Sequence, residues 1–202
     1  MPRESLKAYC KRFVSSSGIP GLVLTLLPIF SPFLPGEVAA YVYPPLGPTF
    51  GPVGRLVAVL VCLLVIFLVY LVQVQRPKIY FSVAAVSIVA GSIAYLVCFS
   101  HFVCRVPIPA RSEAHLVSVG YVRTDAARHC CGSKTDLEIL HDEGFREEEI
   151  QKFWTPSSVF VARILLWLTC LCWLVGATTV AAVFVKVQGR SLHAKKPVQG
   201  AP

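Results

Sequence analysis

Three uncharged apolar runs of membrane-crossing length dominate what this chain can fold into. An α-helix rises about 1.5 Å per residue and the hydrocarbon core of a bilayer is about 30 Å thick, so one span takes about 20 apolar residues. Leu56 to Val74 meets that requirement with LVAVLVCLLVIFLVYLVQV, within an expected span of 56–75 between Arg55 and Arg76. Residues 79–104 carry no Asp, Glu, Lys or Arg between Lys78 and Arg105. Residues 164–185 form the third run, between Arg163 and Lys186, with Trp167 and Trp173 near its first half, inside an expected fourth span of 159–185. Composition agrees: 55% of residues are hydrophobic and 15% charged, against roughly a quarter charged in soluble domains.

Residues 18–36 are also uncharged, but Pro20, Pro28 and Pro32 interrupt them. Three readings stand for this segment: a kinked first span, a re-entrant or interfacial segment, and a signal peptide. Membrane helices tolerate proline when neighbours re-satisfy the freed carbonyl. The signal-peptide reading draws on Arg3, Lys7, Lys11 and Arg12 and on the small-residue stretch Val38-Ala39-Ala40. The long stretch before the apolar core, and prolines inside it, favour the kinked span. The sequence therefore predicts an all-α polytopic membrane protein. Its expected architecture is a four-transmembrane-helix bundle with a small helical hairpin in the loop between the third and fourth spans.

Basic residues then orient the chain. A basic N-terminus (residues 1–17), the turn carrying Arg76 and Lys78, and a basic tail (residues 186–202) all fall on one side of a four-span chain. That side is read as the cytoplasm, with both termini in it, in the plasma membrane or another cellular membrane. The Pro-rich loop 37–55 and the segment 105–158 then lie outside. The net charge of +8 belongs to the termini and turns and suits anionic headgroups. No interleaving of Arg with aromatics marks a nucleic-acid face, so the expected partner is the lipid bilayer and not nucleic acid.

Within the membrane, Ser87 with Gly91 and Ala90 with Ala94 give the third span a small-residue face. Gly176, Ala177, Thr178, Ala181 and Ala182 do the same for the last span. Small residues let helices approach closely, within one bundle or between chains and other membrane proteins. The three clear runs hold no Asp, Glu, Lys or Arg in their interiors, which disfavours proton- or sodium-coupled transport. In the Pro-rich loop, proline and glycine density predicts extended, polyproline-like backbone in place of a helix.

Residues 105–158 are the largest soluble piece. His115 to Arg123 reads as one strand from its β-branched and aromatic residues. Thr135 with Glu138 has capping-box spacing, and a second helix is expected from Arg146 to Trp154, stopped by Thr155-Pro156. The resulting hairpin presents Leu137, Leu140, Ile150, Phe153 and Trp154 as an apolar interaction surface, with Glu147-Glu148-Glu149 behind it. The stretch LEILHDEGFREEEIQKFW resembles the short helix-turn-helix called SHOCT. That resemblance implies an oligomerisation element, usually cytoplasmic in that family, and no function is carried over from it.

Three of the eight cysteines fall at or in this loop. In an oxidising compartment Cys104 is expected to bridge either Cys130 or Cys131. A zinc site drawn from His101, Cys104, His129, Cys130, Cys131 and His141 competes, without the paired C-x-x-C spacing that makes such a site specific. Cys130-Cys131-Gly132 before the last span resembles the tetraspanins in three residues and span count, an architectural analogy. Claudin-like proteins fit less well, since the first loop lacks cysteine.

No Gly-rich phosphate loop, HExxH or G-x-S-x-G occurs. No catalytic residue, cofactor site or metal site is assigned, and the chain is read as a non-enzyme. The expected role is a scaffold or interaction module. The alternative is a thiol-redox or metal-binding membrane protein using the His129-Cys130-Cys131 loop.

Overall fold

The computed structural model describes residues 43–71, 76–107, 114–143 and 146–194. The expected first span, 18–36, and the start of the Pro-rich loop lie outside the described residues. The described chain is mostly helical. Three of its helices are long and apolar enough to cross a membrane: Phe50–Leu71, Pro77–Phe102 and Pro156–Val187.

Helix α1 runs Gly47–Leu71, and so starts inside the stretch expected to be an extended loop. Gly47 enters with φ 78°, a left-handed conformation that favours glycine. Pro48 then lies in the first turn, where its missing donor has no intrahelical partner to lose. Pro52 is inside the helix, but the carbonyl it leaves unpaired is that of Pro48, at the frayed start. Proline density was therefore a poor guide here: both rings fall where a helix tolerates them.

Helix α2 covers Pro77–Phe102 and opens on a proline at its first position. It stops two residues short of the expected Cys104, because Val103–Pro107 (β1) pairs antiparallel with Ala114–Ser118 (β2). Cys104 faces Val117 and Val106 faces His115 in this register. Val119 N donates to the Phe102 carbonyl at 2.8 Å, which satisfies one of the orphan acceptors at the end of α2. The all-α expectation is thus corrected to a mostly helical fold with one two-stranded sheet.

Three short helices follow: α3 Asp125–Cys131, α4 Asp136–Glu143 and α5 Glu147–Phe153. Helix α6 then runs Pro156–Ala194, about 58 Å at 1.5 Å per residue. It begins three residues before the expected boundary at 159 and continues beyond 185. Thr155-Pro156 both ends α5 and starts α6: Ser158 N and Val159 N bond the Thr155 carbonyl at 3.0 and 3.1 Å.

The chain divides into two compact units. One contains residues 58–90 and 172–202, together with the N-terminal 27 residues. Here α2 and α6 meet at Gly176, where an added Cβ would lie 2.8 Å from Ile88 Cγ1 and 3.0 Å from the Ala84 carbonyl oxygen. Ala84, Thr178 and Ala182 are buried around this crossing. The small residues Gly176, Thr178 and Ala182 of α6 therefore serve close packing inside the chain. Val69, Ala182, Val183 and Val185 form a second contact zone. Beside it the Lys186 ammonium donates to the carbonyls of Val69 at 2.6 Å and Tyr70 at 2.7 Å, capping the last turn of α1.

The other unit holds residues 28–57 and 91–171. In it Phe50 makes edge contacts with Phe160 and Trp167, at centroid distances of 6.4 and 6.1 Å. Trp167 Nε1 donates to the Gly54 carbonyl at 3.1 Å. An Ala Cβ at Gly54 would meet Tyr43, Leu46 and Trp167, so the backbone of α1 at Gly54 packs closely on the Trp167 ring of α6.

Candidate functional site

The sheet and the three short helices build one small subdomain around a shared core. Val106 and Val117 from the strands, Val119, Cys131 from α3, Ile139 and Leu140 from α4, Ile150 and Trp154, and Val159 from α6 are its buried members. Phe153 and Cys104 pack against them. About fifty residues alone bury little surface; here the first turn of α6 completes the core through Val159.

Polar side chains fix this assembly. Arg123 donates through Nε and Nη2 to Asp136 Oδ1 at 3.1 and 2.5 Å. It also donates to the carbonyls of Cys131 at 3.3 Å and Lys134 at 2.9 Å. One guanidinium thus ties the end of α3 to the start of α4, using the fork geometry that lysine lacks. Thr124 works at the other side: its Oγ1 accepts from Ala127 N at 3.2 Å as the cap of α3, and donates to the Lys152 carbonyl at 2.7 Å. Thr124 N to Phe153 O and Thr155 N to Val122 O, at 2.9 and 3.0 Å, stitch residues 122–124 to the end of α5. Arg163, buried on α6, donates from Nε to Ser118 Oγ at 2.9 Å.

Two short helices, α4 and α5, stand where the helical hairpin was expected, and both contribute to the shared core. The capping box is formed: Glu138 Oε2 accepts from Thr135 N at 2.7 Å and from Thr135 Oγ1 at 3.0 Å, while Thr135 Oγ1 accepts from Glu138 N at 3.3 Å. Those donors hold the Glu138 carboxyl below its usual range, and Lys134, 2.7 Å from Asp142, does the same for that residue. A second reciprocal pair, Arg146 N to Glu149 Oε2 at 2.8 Å, opens α5.

Of the expected interaction surface, Leu140, Ile150 and Trp154 are core residues, 1%, 3% and 1% exposed. Phe153 is half-buried beside Trp154, and Leu137 faces outward. The β-hairpin and Val159 occupy the face that the sequence left open.

The three loop cysteines are separated. Cys131 is buried, Cys104 is half-buried against the same core, and Cys130 is exposed, with its thiol directed to the Ala127 carbonyl at 3.7 Å. The expected bridge is not formed: no disulfide occurs among the described residues. Burial, reinforced by the Asp136 charge, pushes the Cys104 thiol up to about 11, so it stays protonated at neutral pH. His129 and Cys130 point outward on α3 and Cys131 inward, so these consecutive residues do not converge. Among the described residues, no group of three or more His, Cys, Asp or Glu is placed to hold a metal.

A groove of about 440 Å³ opens near Phe50 and Val53 of α1, Gln151 of α5, and Phe160 and Arg163 of α6. Its rim residues Val53 and Phe160 are more than half exposed, so it belongs to the apolar surface of the helices. Compared with known proteins, the chain matches no family model, no curated protein and no solved structure. The likenesses to SHOCT and to tetraspanins therefore gain no support from a family match.

Proposed function

We propose that this is a multi-pass integral membrane protein acting as a non-catalytic scaffold or interaction module. In this reading residues 18–36 supply a kinked first span, both termini are cytoplasmic, and residues 37–55 and 105–158 lie outside. The observation that carries it is the run of large apolar side chains exposed along every long helix. Leu56, Leu60, Leu63, Leu64, Phe67 and Leu71 on α1 are each between 46% and 59% exposed. Val83, Val86, Val89 and Ile93 on α2 are equally bare. Water does not tolerate apolar faces of that extent, whereas lipid or an apolar partner covers them. The non-catalytic part draws on the subdomain, whose Arg123, Thr124, Thr135 and Ser158 are engaged in internal bonds. Ala90, exposed between Val86 and Ile93, leaves a small-residue position open to a second membrane helix.

Single-cysteine chains test the arrangement. A chain keeping only Cys130 is expected to react with a membrane-impermeant maleimide in intact cells, and one keeping only Cys10 to react after permeabilisation alone. The reverse pattern inverts the topology. Release of the chain from membranes by alkaline carbonate defeats the membrane reading itself.

A further inference from the structure

Charge is divided unevenly between the two units. The unit formed by residues 1–27, 58–90 and 172–202 holds ten of the 19 Lys and Arg residues and one of the 11 acidic residues, Glu4. Of those ten, Arg76, Lys78 and Lys186 have described side chains. Within its described part, Arg76 and Lys78 flank Pro77, the first residue of α2, and both are exposed. Lys186 sits level with the last turn of α1, since its ammonium bonds the Val69 and Tyr70 carbonyls. Helical backbone continues from there to Ala194, carrying Arg190 one turn further on.

The same unit exposes apolar side chains at the end of α1 and the start of α2. Leu68 and Leu71 at the end of α1 are 48% and 46% exposed, and Ile79, next to Lys78, is 52% exposed. A ligand complementary to this surface needs a negative head against Arg76 and Lys78 and hydrocarbon against Leu71 and Ile79. Free phosphate lacks the second element and a neutral lipid lacks the first. We propose that this end of the unit is a binding surface for anionic phospholipids, holding the phosphodiester headgroups of one leaflet on Arg76 and Lys78. Lys186 is occupied by the α1 carbonyls and takes a supporting place, setting the level of the interface. Each Lys or Arg near an anionic surface strengthens attraction about fivefold, and salt screens the effect.

This inference rests on the proposed membrane reading, and the two fail differently. The full chain is reconstituted into phosphatidylcholine vesicles, and flotation first reports whether it is membrane-bound; a chain left at the bottom of the gradient sinks both proposals. For chain that floats, the association of spin-labelled phosphatidylglycerol relative to spin-labelled phosphatidylcholine is measured at low and high salt. The expected result is a severalfold preference for phosphatidylglycerol that weakens with salt. It should fall to near-equal association of the two lipids in R76Q/K78Q and be unaltered in K152Q, which removes one exposed charge from the soluble subdomain. Equal association of both lipids, or a preference that survives R76Q/K78Q, overturns the inference alone. So does full competition by inorganic phosphate at equal ionic strength, which would assign the cations to a soluble anion.

Discussion

Replacing Gly120 by alanine puts a methyl group where the structure has no room. The new Cβ would lie 2.2 Å from Ser158 Oγ and 3.1 Å from both Trp154 Cβ and Val159 Cγ2. The hydroxyl can yield only by rotating away from the Thr155 and Val122 carbonyls, to which it donates at 2.9 and 3.3 Å. That move forfeits a partly buried hydrogen bond, about 1 kcal/mol. The contacts with Trp154 and Val159 require a backbone shift at the point where the subdomain meets α6, adding about 1–2 kcal/mol of overpacking. A loss of about 2–3 kcal/mol raises the open fraction of the subdomain by roughly thirty- to more than a hundredfold. Hydrogen exchange of the α4 and α5 amides, in detergent or bilayer discs, reads this directly. Removing the hydroxyl in Gly120→Ala/Ser158→Ala should recover part of the loss. Gly51→Ala is the control: apart from its chain neighbours nothing lies within 4 Å of its added Cβ, so any cost comes from the adjacent Pro52 ring and should leave the α4 and α5 amides unaffected. Unaltered exchange in Gly120→Ala, or equal effects at both glycines, would refute the close-approach reasoning.

Arg123→Met should cost about 2 kcal/mol in denaturant unfolding followed by tryptophan fluorescence. It strips donors from two carbonyls and from Asp136, with the estimate kept low because the ion pair is partly exposed, 23% and 37%. Asp136→Asn in that background should recover some of the loss. Cys131→Ser should destabilise by about 1–3 kcal/mol by burying a hydroxyl, whereas Cys130→Ser, at an exposed site, should stay within about 0.5 kcal/mol; equal losses at both would revive a shared thiol or metal centre. Titration should narrow stability from both sides in pH-dependent exchange of α4. Glu138 and Asp142, lowered in the folded state, contribute above the ordinary carboxylate range and lose that contribution as pH falls through their folded values. Cys104, raised to about 11 from 9.0, contributes fully below about 9 and loses its contribution as pH climbs towards 11; α4 protection unchanged between neutral pH and pH 3 would contradict the carboxylate half.

The long helices were legible because their signal is additive: twenty apolar residues between cations need no tertiary partner to be recognised. The Thr135–Glu138 box was legible for a similar reason, since both partners lie in one turn. Helix α3 was missed because seven residues show no period; its one local sign was Thr124-Asp125, a cap followed by an acid. Strand β1 was missed because Val103 and Cys104 read equally well as the last residues of a span, and only pairing with β2 distinguishes them. The apolar set Leu140, Ile150 and Trp154 was found but set on the outside, because a sequence shows an apolar face without showing what covers it. Arg123 stayed invisible as an organiser: its partners at 131, 134 and 136 converge only when α3 turns back on residues 122–124.

In the proposed membrane reading, the bond from Lys186 to the Val69 and Tyr70 carbonyls also bears on how α1 and α6 meet bilayers of different thickness. Two helices held only by apolar contact can slide past one another, each finding its own depth. Here α1 and α6 are fastened at one height by a charge that is costly to pull into hydrocarbon. Thinner or thicker membranes must then be met by tilting the pair as a unit or by deforming the lipid. In that reading Lys186 links α6 to the end of α1 at one height along the membrane normal.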